Sequence, residues 1–515
     1  MSFRHPLATV LVASVVCLAV GFSATPFWDE DEPRFAAIAQ AMLDTGDWVV
    51  PMYNGTLAVD KPVLMHWCMA VCFALFGTSE IAARLPAALA TVATALALLR
   101  AGTRWFSVTT GVVAALAYVG CLLVAIESHA ATPDSILTAL TAWATLLVAE
   151  AFLPDRSTGA APAGRLSIAR AAVVGSLLGV AVLCKGPIGF VGPLAVALPW
   201  VWWLAIGQRF ERTGPVTAGR LAAAAVPAAF ATIRGTRLFT ITAAMLAVAA
   251  PWYVMVGMRT AGAWPAGFFF VHNVGRFAAP MEKHGGSVLY HPLGMLVGFF
   301  PWSCFLPLAI VVACWRLWKR VDLPAVAQPL ALALFWMAVW IGGFSAAATK
   351  LPNYIMPAYP AAALLVAALG VEAASAGRWP HPRWMASGLG WLVAHDLLGG
   401  RGEFGDAPHP SEPWWLRIHG AAAMGFLIGL GSLLPGHISR AWQMRRNHRS
   451  GLSILGMVAL LIATGYGLYY VGDEQARPWI SCVHWLIGLA AAGMAPLHVV
   501  LGRRRTAGNL ATGRA

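Results

Sequence analysis

Long apolar runs separated by short polar loops extend along this 515-residue chain. Runs close to bilayer-crossing length, about 20 residues, recur throughout and predict a polytopic helical membrane protein. The first, roughly Pro6 to Ala24, follows Arg4 and has the look of a signal peptide, but the acidic cluster directly behind it favours a retained anchor. Lys61 to Phe76 is apolar but short, which predicts a helix at the interface rather than a span. A span from about Leu85 to Leu99 ends at Arg100 and Arg104. The next pair of spans turns at Glu127–Asp134 and returns to Asp155-Arg156 through Arg170. Another pair turns at Lys185-Gly186-Pro187 and returns to the basic stretch Arg209–Arg237. A further span leads to a loop of about Arg259 to Pro292, and the one after it ends at Arg316, Lys319 and Arg320. The last pair of this region turns at Thr349–Tyr354 and ends at Arg378 and Arg383. Arginine-rich loops face inward by the positive-inside rule, so every unusual polar motif falls on the outer face.

Composition agrees: 59% of residues are hydrophobic and mean hydropathy is +0.69. The net charge of +13 sits in short loops between apolar runs. That pattern sets orientation and meets anionic headgroups; it is no nucleic-acid patch. The eight cysteines lie almost entirely in apolar segments and form no disulfide framework.

Charge enters the chain mainly as chemistry. Only 11% of residues are charged, yet five of the seven from Trp28 to Arg34 are. Four adjacent carboxylates repel one another unless a cation or cationic group is near. Asp29 and Asp31 are spaced to share a divalent cation, or one acts as a base that the other orients. Asp31 and Glu32 are the candidate catalytic pair. Arg34, one turn later, suits a phosphate. Lys61, Lys185 and Lys350 stand at the outer ends of runs, each followed closely by proline, and together predict a phosphate or pyrophosphate site. Arg276, Tyr354 and Tyr359 join this carrier-phosphate set, the tyrosines also offering faces for a sugar or lipid tail. His272 with Asp60 or Glu282 is a candidate site for zinc, magnesium or manganese, with a hydrogen-bonding histidine as the alternative.

At these residues the chain resembles the ArnT-like, protein-mannosyltransferase-related branch of the GT-C membrane glycosyltransferases. The matching stretches include Asp31-Glu32-Pro33-Arg34-Phe35, Gly46-Asp47-Trp48, Asp60-Lys61-Pro62, Ala83-Arg84-Leu85-Pro86 and Ala131-Thr132-Pro133-Asp134. Lys185-Gly186-Pro187, Pro251-Trp252-Tyr253, His272-Asn273 with Arg276-Phe277, Pro301-Trp302 and Thr349-Lys350-Leu351-Pro352 follow in family order, within residues 1–375. The resemblance implies a GT-C helical bundle with outer-face juxtamembrane helices in the inner (plasma) membrane. It also implies sugar transfer from a polyprenyl-phosphate carrier to a lipid or protein acceptor on the periplasmic face. Asp31 maps to the catalytic base or acceptor-orienting group, and Arg34, Lys61 and Lys350 to groups near the carrier phosphate. Asp60 and His272 map to a metal pair, and Phe35 stands where tyrosine is common.

The pattern departs after Glu372. Residues 376–515 predict a separate bundle of about four helices, rich in histidine and resembling small membrane domains of cytochrome-b-like appearance. His419 and His484 fall near the outer ends of their spans, and His437 and His498 near the inner ends, so paired histidines at matching depth are candidates for haem b. Structural histidines are the alternative there. For the whole chain, the alternatives are a lipid-linked sugar flippase or transporter, and a b-type cytochrome with a degenerate transferase half.

Overall fold

The computed structural model describes residues 5–19, 22, 26–27, 31–213, 218–280, 284–321 and 323–375. Beyond these it describes 400–402, 405–407, 411, 413–420, 422–423, 448–470, 473, 475–491 and 494. Asp29, Glu30, Glu282, His437 and His498 lie outside the described residues. The chain divides into two compact units, one of residues 2–371 and one containing residues 372–515.

In the larger unit, seven helices in the chain order α1 to α7 span Pro6–Ala19, Asp31–Thr45, Leu64–Phe76, Glu80–Trp105, Val108–Val119, Leu122–Ser128 and Asp134–Ala149. Helices α8 to α11 span Ile168–Lys185, Ile188–Thr213, Ala218–Thr236 and Leu238–Arg259. After α12 (Ala263–Ala266), a π-helix covers Gly267–Gly275, and α13 (Arg276–Ala278), α14 (Tyr290–Gly298), α15 (Leu306–Lys319), α16 (Pro324–Ala346) and α17 (Tyr359–Ser375) complete the unit. Among the described residues of the whole chain, seven helices are long and apolar enough to cross a membrane, or eight if the bent pair α5–α6 is one span. The protein is an all-α multi-pass membrane protein.

Apolar burial is not what orders helices within lipid; close backbone approach is. Helices α8 and α11 make the most extensive pair, and small residues permit it. A Cβ on Gly175 would lie 2.3 Å from the Ile241 carbonyl oxygen, and one on Gly179 2.7 Å from that of Met245. The starts of α4, α5 and α8 are set by Ser79, Ser107 and Ser167, whose hydroxyls accept from the third backbone N–H onward.

The short run after Asp60 is α3, 13 residues long and below span length, as its sequence predicts. Elsewhere the structure corrects the expected pattern. The span before Glu127 is broken: α5 and α6 meet at 66°. Cys121 is extended there, and the freed Leu122 N–H donates to the Phe300 carbonyl instead of continuing the helix. The expected loop Arg259–Pro292 contains the π-helix, and the basic stretch after Arg209 contains α10. Of the four spans expected in the C-terminal part, Ser450–Leu468 passes as a membrane span among the described residues.

One buried ion pair fixes the start of α2. Arg84 on α4 meets Glu32 bidentately, Nε to Oε1 at 2.9 Å and Nη2 to Oε2 at 3.0 Å, with side chains 1% and 0% exposed. The Ala131 N–H adds a bond of 2.8 Å to Glu32 Oε1, and Arg84 also donates to the Pro26 carbonyl. Glu32→Gln or Arg84→Met strands the remaining charge and is expected to cost about 3–5 kcal/mol. Replacing both by leucine should recover much of the loss, as read by thermal unfolding of the detergent-solubilised protein.

Candidate functional site

Helix α2 presents its two first residues in opposite senses. Its buried stripe of Phe35, Ile38, Ala39 and Met42 has helical spacing. Glu32 follows that stripe inward to Arg84, whereas Asp31 remains 40% exposed and pairs with Arg34 one turn on. Glu32 therefore spends both oxygens on the scaffold and offers no surface to a substrate. The predicted catalytic pair resolves into one anchor and one accessible carboxylate.

Arg34 links α2 to the loop before α3. Its Nη2 lies 2.9 Å from Asp60 Oδ2, a close ion pair, and Lys61 Nζ lies 3.9 Å from the same oxygen. The loop is pinned by three indoles, whose Nε1–H groups donate to backbone carbonyls: Trp67 to Trp48, Trp252 to Val49 and Trp264 to Ala58. Between these pins a hairpin turns at Asn54-Gly55, both with positive φ, as two-residue turns require. Burial raises the Asp60 pKa, but Lys61, Arg34 and a backbone N–H together outweigh it, holding the carboxyl below its usual value.

His66, on the first turn of α3, belongs to this cluster and was missed from sequence. It is 1% exposed, stacks edge-on to Phe35 at 5.5 Å, and its Nδ1 has no hydrogen-bond partner. Burial, with smaller effects of Lys61 and Arg34, lowers its pKa to about 4, while Asp60 opposes the shift. The imidazole is neutral near pH 7. A lone histidine on an apolar helix gives no sequence signal; its place one turn after Asp60-Lys61-Pro62 is the clue.

A second cluster gathers where α7, α8 and the segment before α17 meet. Lys185 ends α8 and donates to Asp134 Oδ1 at 2.5 Å, while Asn353 Nδ2 donates to Oδ2 at 3.3 Å. The same ammonium lies 5.0 Å over the Tyr354 ring. Arg276, just past the π-helix, donates to the Tyr354 hydroxyl at 3.2 Å. Gly186 makes the corner: its φ is +73°, and an added Cβ would lie 2.4 Å from Phe268 Cζ. That ring seats the π-helix, which carries His272 and leads into Arg276, against the end of α8. Asp134 and Asn353 are members that the sequence motifs contained without revealing their role.

Two predicted members lie elsewhere. Lys350 is 4% exposed and donates to the carbonyls of Phe344, Ser345 and Ala347, closing the C-terminal end of α16. Its ammonium serves backbone acceptors, not an open phosphate seat. Tyr359 is fully buried in the bundle core against Phe299, with its hydroxyl beside Gly298. The 3-10 winding of Pro352–Ala358 separates it from Tyr354.

Asp60 is already paired with two cations, and among the described residues no group of three or more His, Cys, Asp or Glu side chains is placed to hold an ion.

A helical membrane bundle with charged clusters at one end of its spans is the architecture of the GT-C glycosyltransferases, and comparison with known proteins places it there. Residues 60–233 match the family model described as dolichyl-phosphate-mannose-protein mannosyltransferase. Over 436 residues the chain is 30% identical to an undecaprenyl phosphate-α-4-amino-4-deoxy-L-arabinose arabinosyl transferase of Aeromonas salmonicida, covering 81% of this chain and 70% of that one. A protein of the same name from Pseudomonas aeruginosa is 31% identical over 369 residues, 71% of this chain and 60% of its own length. The fold is similar to that of ArnT from Cupriavidus metallidurans bound to undecaprenyl phosphate, with a TM-score of 0.57 and 21% identity over 98% of this chain and 79% of that one. This chain belongs to that arabinosyl transferase family and is a GT-C membrane glycosyltransferase.

Two outcomes test the site's construction. Gly186→Ala combines a strained φ with the overlap on Phe268 and is expected to cost roughly 1–3 kcal/mol. Adding Phe268→Leu should recover only part of that, because the dihedral strain stays; thermal unfolding reads both. For His66 the folded pKa is depressed from 6.5 to about 4, so between those pH values the unfolded chain binds the extra proton. Stability is therefore lost as pH falls through that window, by up to about 1.4 kcal/mol per pH unit. His66→Phe should flatten this slope in melting temperatures measured from pH 7 to 4.

Proposed function

We propose that this protein transfers a sugar from a polyprenyl-phosphate carrier to a lipid acceptor at the periplasmic face of the inner membrane. The relatives' shared name makes an undecaprenyl-phosphate-linked 4-amino-4-deoxy-L-arabinose the first donor to test, and a lipid A-type glycolipid is our choice of first acceptor. The family description of a dolichyl-phosphate-mannose donor supports the same carrier chemistry, a lipid phosphate on the anomeric carbon. The facing is supported by the opposite end of the bundle, where Arg100 and Arg104 close onto Glu150 and Asp155 among the arginine-rich loops.

The observation that carries this reading is that the larger unit offers both an accessible carboxylate, Asp31, and a separate cluster in which Lys185 and Arg276 meet at Tyr354. An acceptor oxygen attacks the anomeric carbon as its bond to the carrier phosphate breaks. The bonding pair leaves with the phosphate, whose growing charge Arg276, Lys185 and Lys61 offset. Asp31 orients the acceptor and takes the proton of an attacking hydroxyl; an acceptor phosphate oxygen has none to give. Arg34 and Asp60 hold Asp31 in place by the ion-paired chain described above.

Purified protein in lipid nanodiscs, given a panel of labelled polyprenyl-phosphate sugars and a lipid A-type acceptor, tests this. Label should move to the lipid in wild type, and Asp31→Asn should lower the rate by about 10²–10⁴-fold with unchanged melting temperature. Wild-type rates in Asp31→Asn would remove that residue from the chemistry. Failure of every donor in the panel would sink the proposal.

A further inference from the structure

The C-terminal unit holds a cluster that sugar transfer does not use. His419 and His484 come from different helices, and their rings stand 6.2 Å apart between centroids with planes at 89°. Two imidazoles bound on opposite sides of one metal ion, at about 2.0–2.1 Å per bond, place their centroids roughly 6 Å apart. Ring planes at right angles are compatible with such a pair, since each bond lies along its own ring plane.

The protonation of His484 is set by a neighbour. Thr464, on the helix His448–Tyr470, lies 2.7 Å from the Leu460 carbonyl and 2.8 Å from His484 Nδ1. A hydroxyl has one proton, and the carbonyl can only accept it. The Thr464 oxygen therefore accepts from His484 Nδ1–H, which leaves the Nε2 lone pair free to ligate. This is the arrangement that orients metal-bound histidines and raises their basicity. The next residue, Gly465, has no side chain to crowd the ring: a Cβ there would already touch His484 Cε1 at 3.4 Å.

Two protein ligands are too few for a bare metal ion, which is held by three or four. Among the described residues no third His, Cys, Asp or Glu joins the pair. Two axial imidazoles do suffice for an iron that brings its four equatorial nitrogens in a porphyrin. We propose that His419 and His484 are the axial ligands of a haem b in the C-terminal unit, with Thr464 as the positioning residue that fixes the His484 tautomer.

The full-length protein, produced with added iron and δ-aminolevulinate, tests this by its reduced-minus-oxidised spectrum and by haem per chain from the pyridine haemochrome. Wild type should show a six-coordinate, low-spin spectrum, and His419→Ala and His484→Ala should each lose one haem equivalent. Thr464→Val should keep the haem but raise its midpoint potential, because a less basic imidazole stabilises ferric iron less. A merely structural threonine would leave the potential unmoved. Sugar transfer in the same preparations reports folding separately, so loss of haem and loss of the transferase reading are distinguishable. A wild type without haem, zinc in its place, or unchanged haem content in both histidine variants would overturn the assignment.

Discussion

The candidate site depends on the buried pair of Glu32 and Arg84. Both charges are removed from water, so each must be fully satisfied by the other and by nearby backbone. The bidentate geometry, the Ala131 N–H and the Pro26 carbonyl do so. The pair holds the first turn of α2 to α4 and to the turn before α7. With Glu32 committed inward, the helical step of about 100° per residue directs its neighbour Asp31 elsewhere, toward Arg34 and Asp60. The anchor thus decides where the accessible carboxylate points.

The two clusters at this end differ in how their cations are held. In the first, Asp31 and Asp60 face Arg34 and Lys61, two carboxylates against two cations. In the second, Asp134 pairs with Lys185, whose ammonium lies over the Tyr354 ring, and Arg276 donates to the Tyr354 hydroxyl. In both, ion pairs and hydrogen bonds hold the cations at fixed positions. Donors and dipoles held in advance at fixed positions stabilise charge as it develops, with little reorganisation during the reaction.

Much of this was legible in the sequence because the physics that produced it is local. Apolar runs of span length announce helices, and the scarcity of charge makes each polar motif conspicuous. Lys185-Gly186-Pro187 could be read as a corner because a left-handed φ and a close ring both demand glycine. What failed were the features decided by distant partners. Asp31 and Glu32 look equivalent until Arg84 takes one of them. Lys350 looks like Lys61 until the carbonyl end of α16 is seen beside it, and Tyr359 follows Tyr354 in sequence but lies beyond a 3-10 segment that changes its face. Gly267–Gly275 is apolar enough to be helix or loop, and its π winding is set by its packing on Gly186 and by the Asn273 side-chain bond to the Phe268 carbonyl.

Irregular backbone explains Lys350 better than phosphate binding does. At membrane depth each unpaired N–H or C=O costs several kcal/mol, yet this protein breaks α5 from α6, winds a π-helix and ends α16 against an extended strand of residues. Each break is closed by a bond from elsewhere in the larger unit. Leu122 donates to Phe300, while Ala348, Thr349 and Lys350 donate through their backbone to Phe277, Arg276 and His284. At the end of α16 the Ala347 N–H closes back on the Phe344 carbonyl, and the Lys350 ammonium, with three donors and a favourable position at a helix C-terminus, donates to the carbonyls of Phe344, Ser345 and Ala347 at once. The same bonds that satisfy α16 place Arg276 and Tyr354 within reach of each other. Lys350 therefore shapes the cluster of Lys185, Arg276 and Tyr354 from behind, as part of the frame that keeps an unwound region stable at the edge of the bilayer.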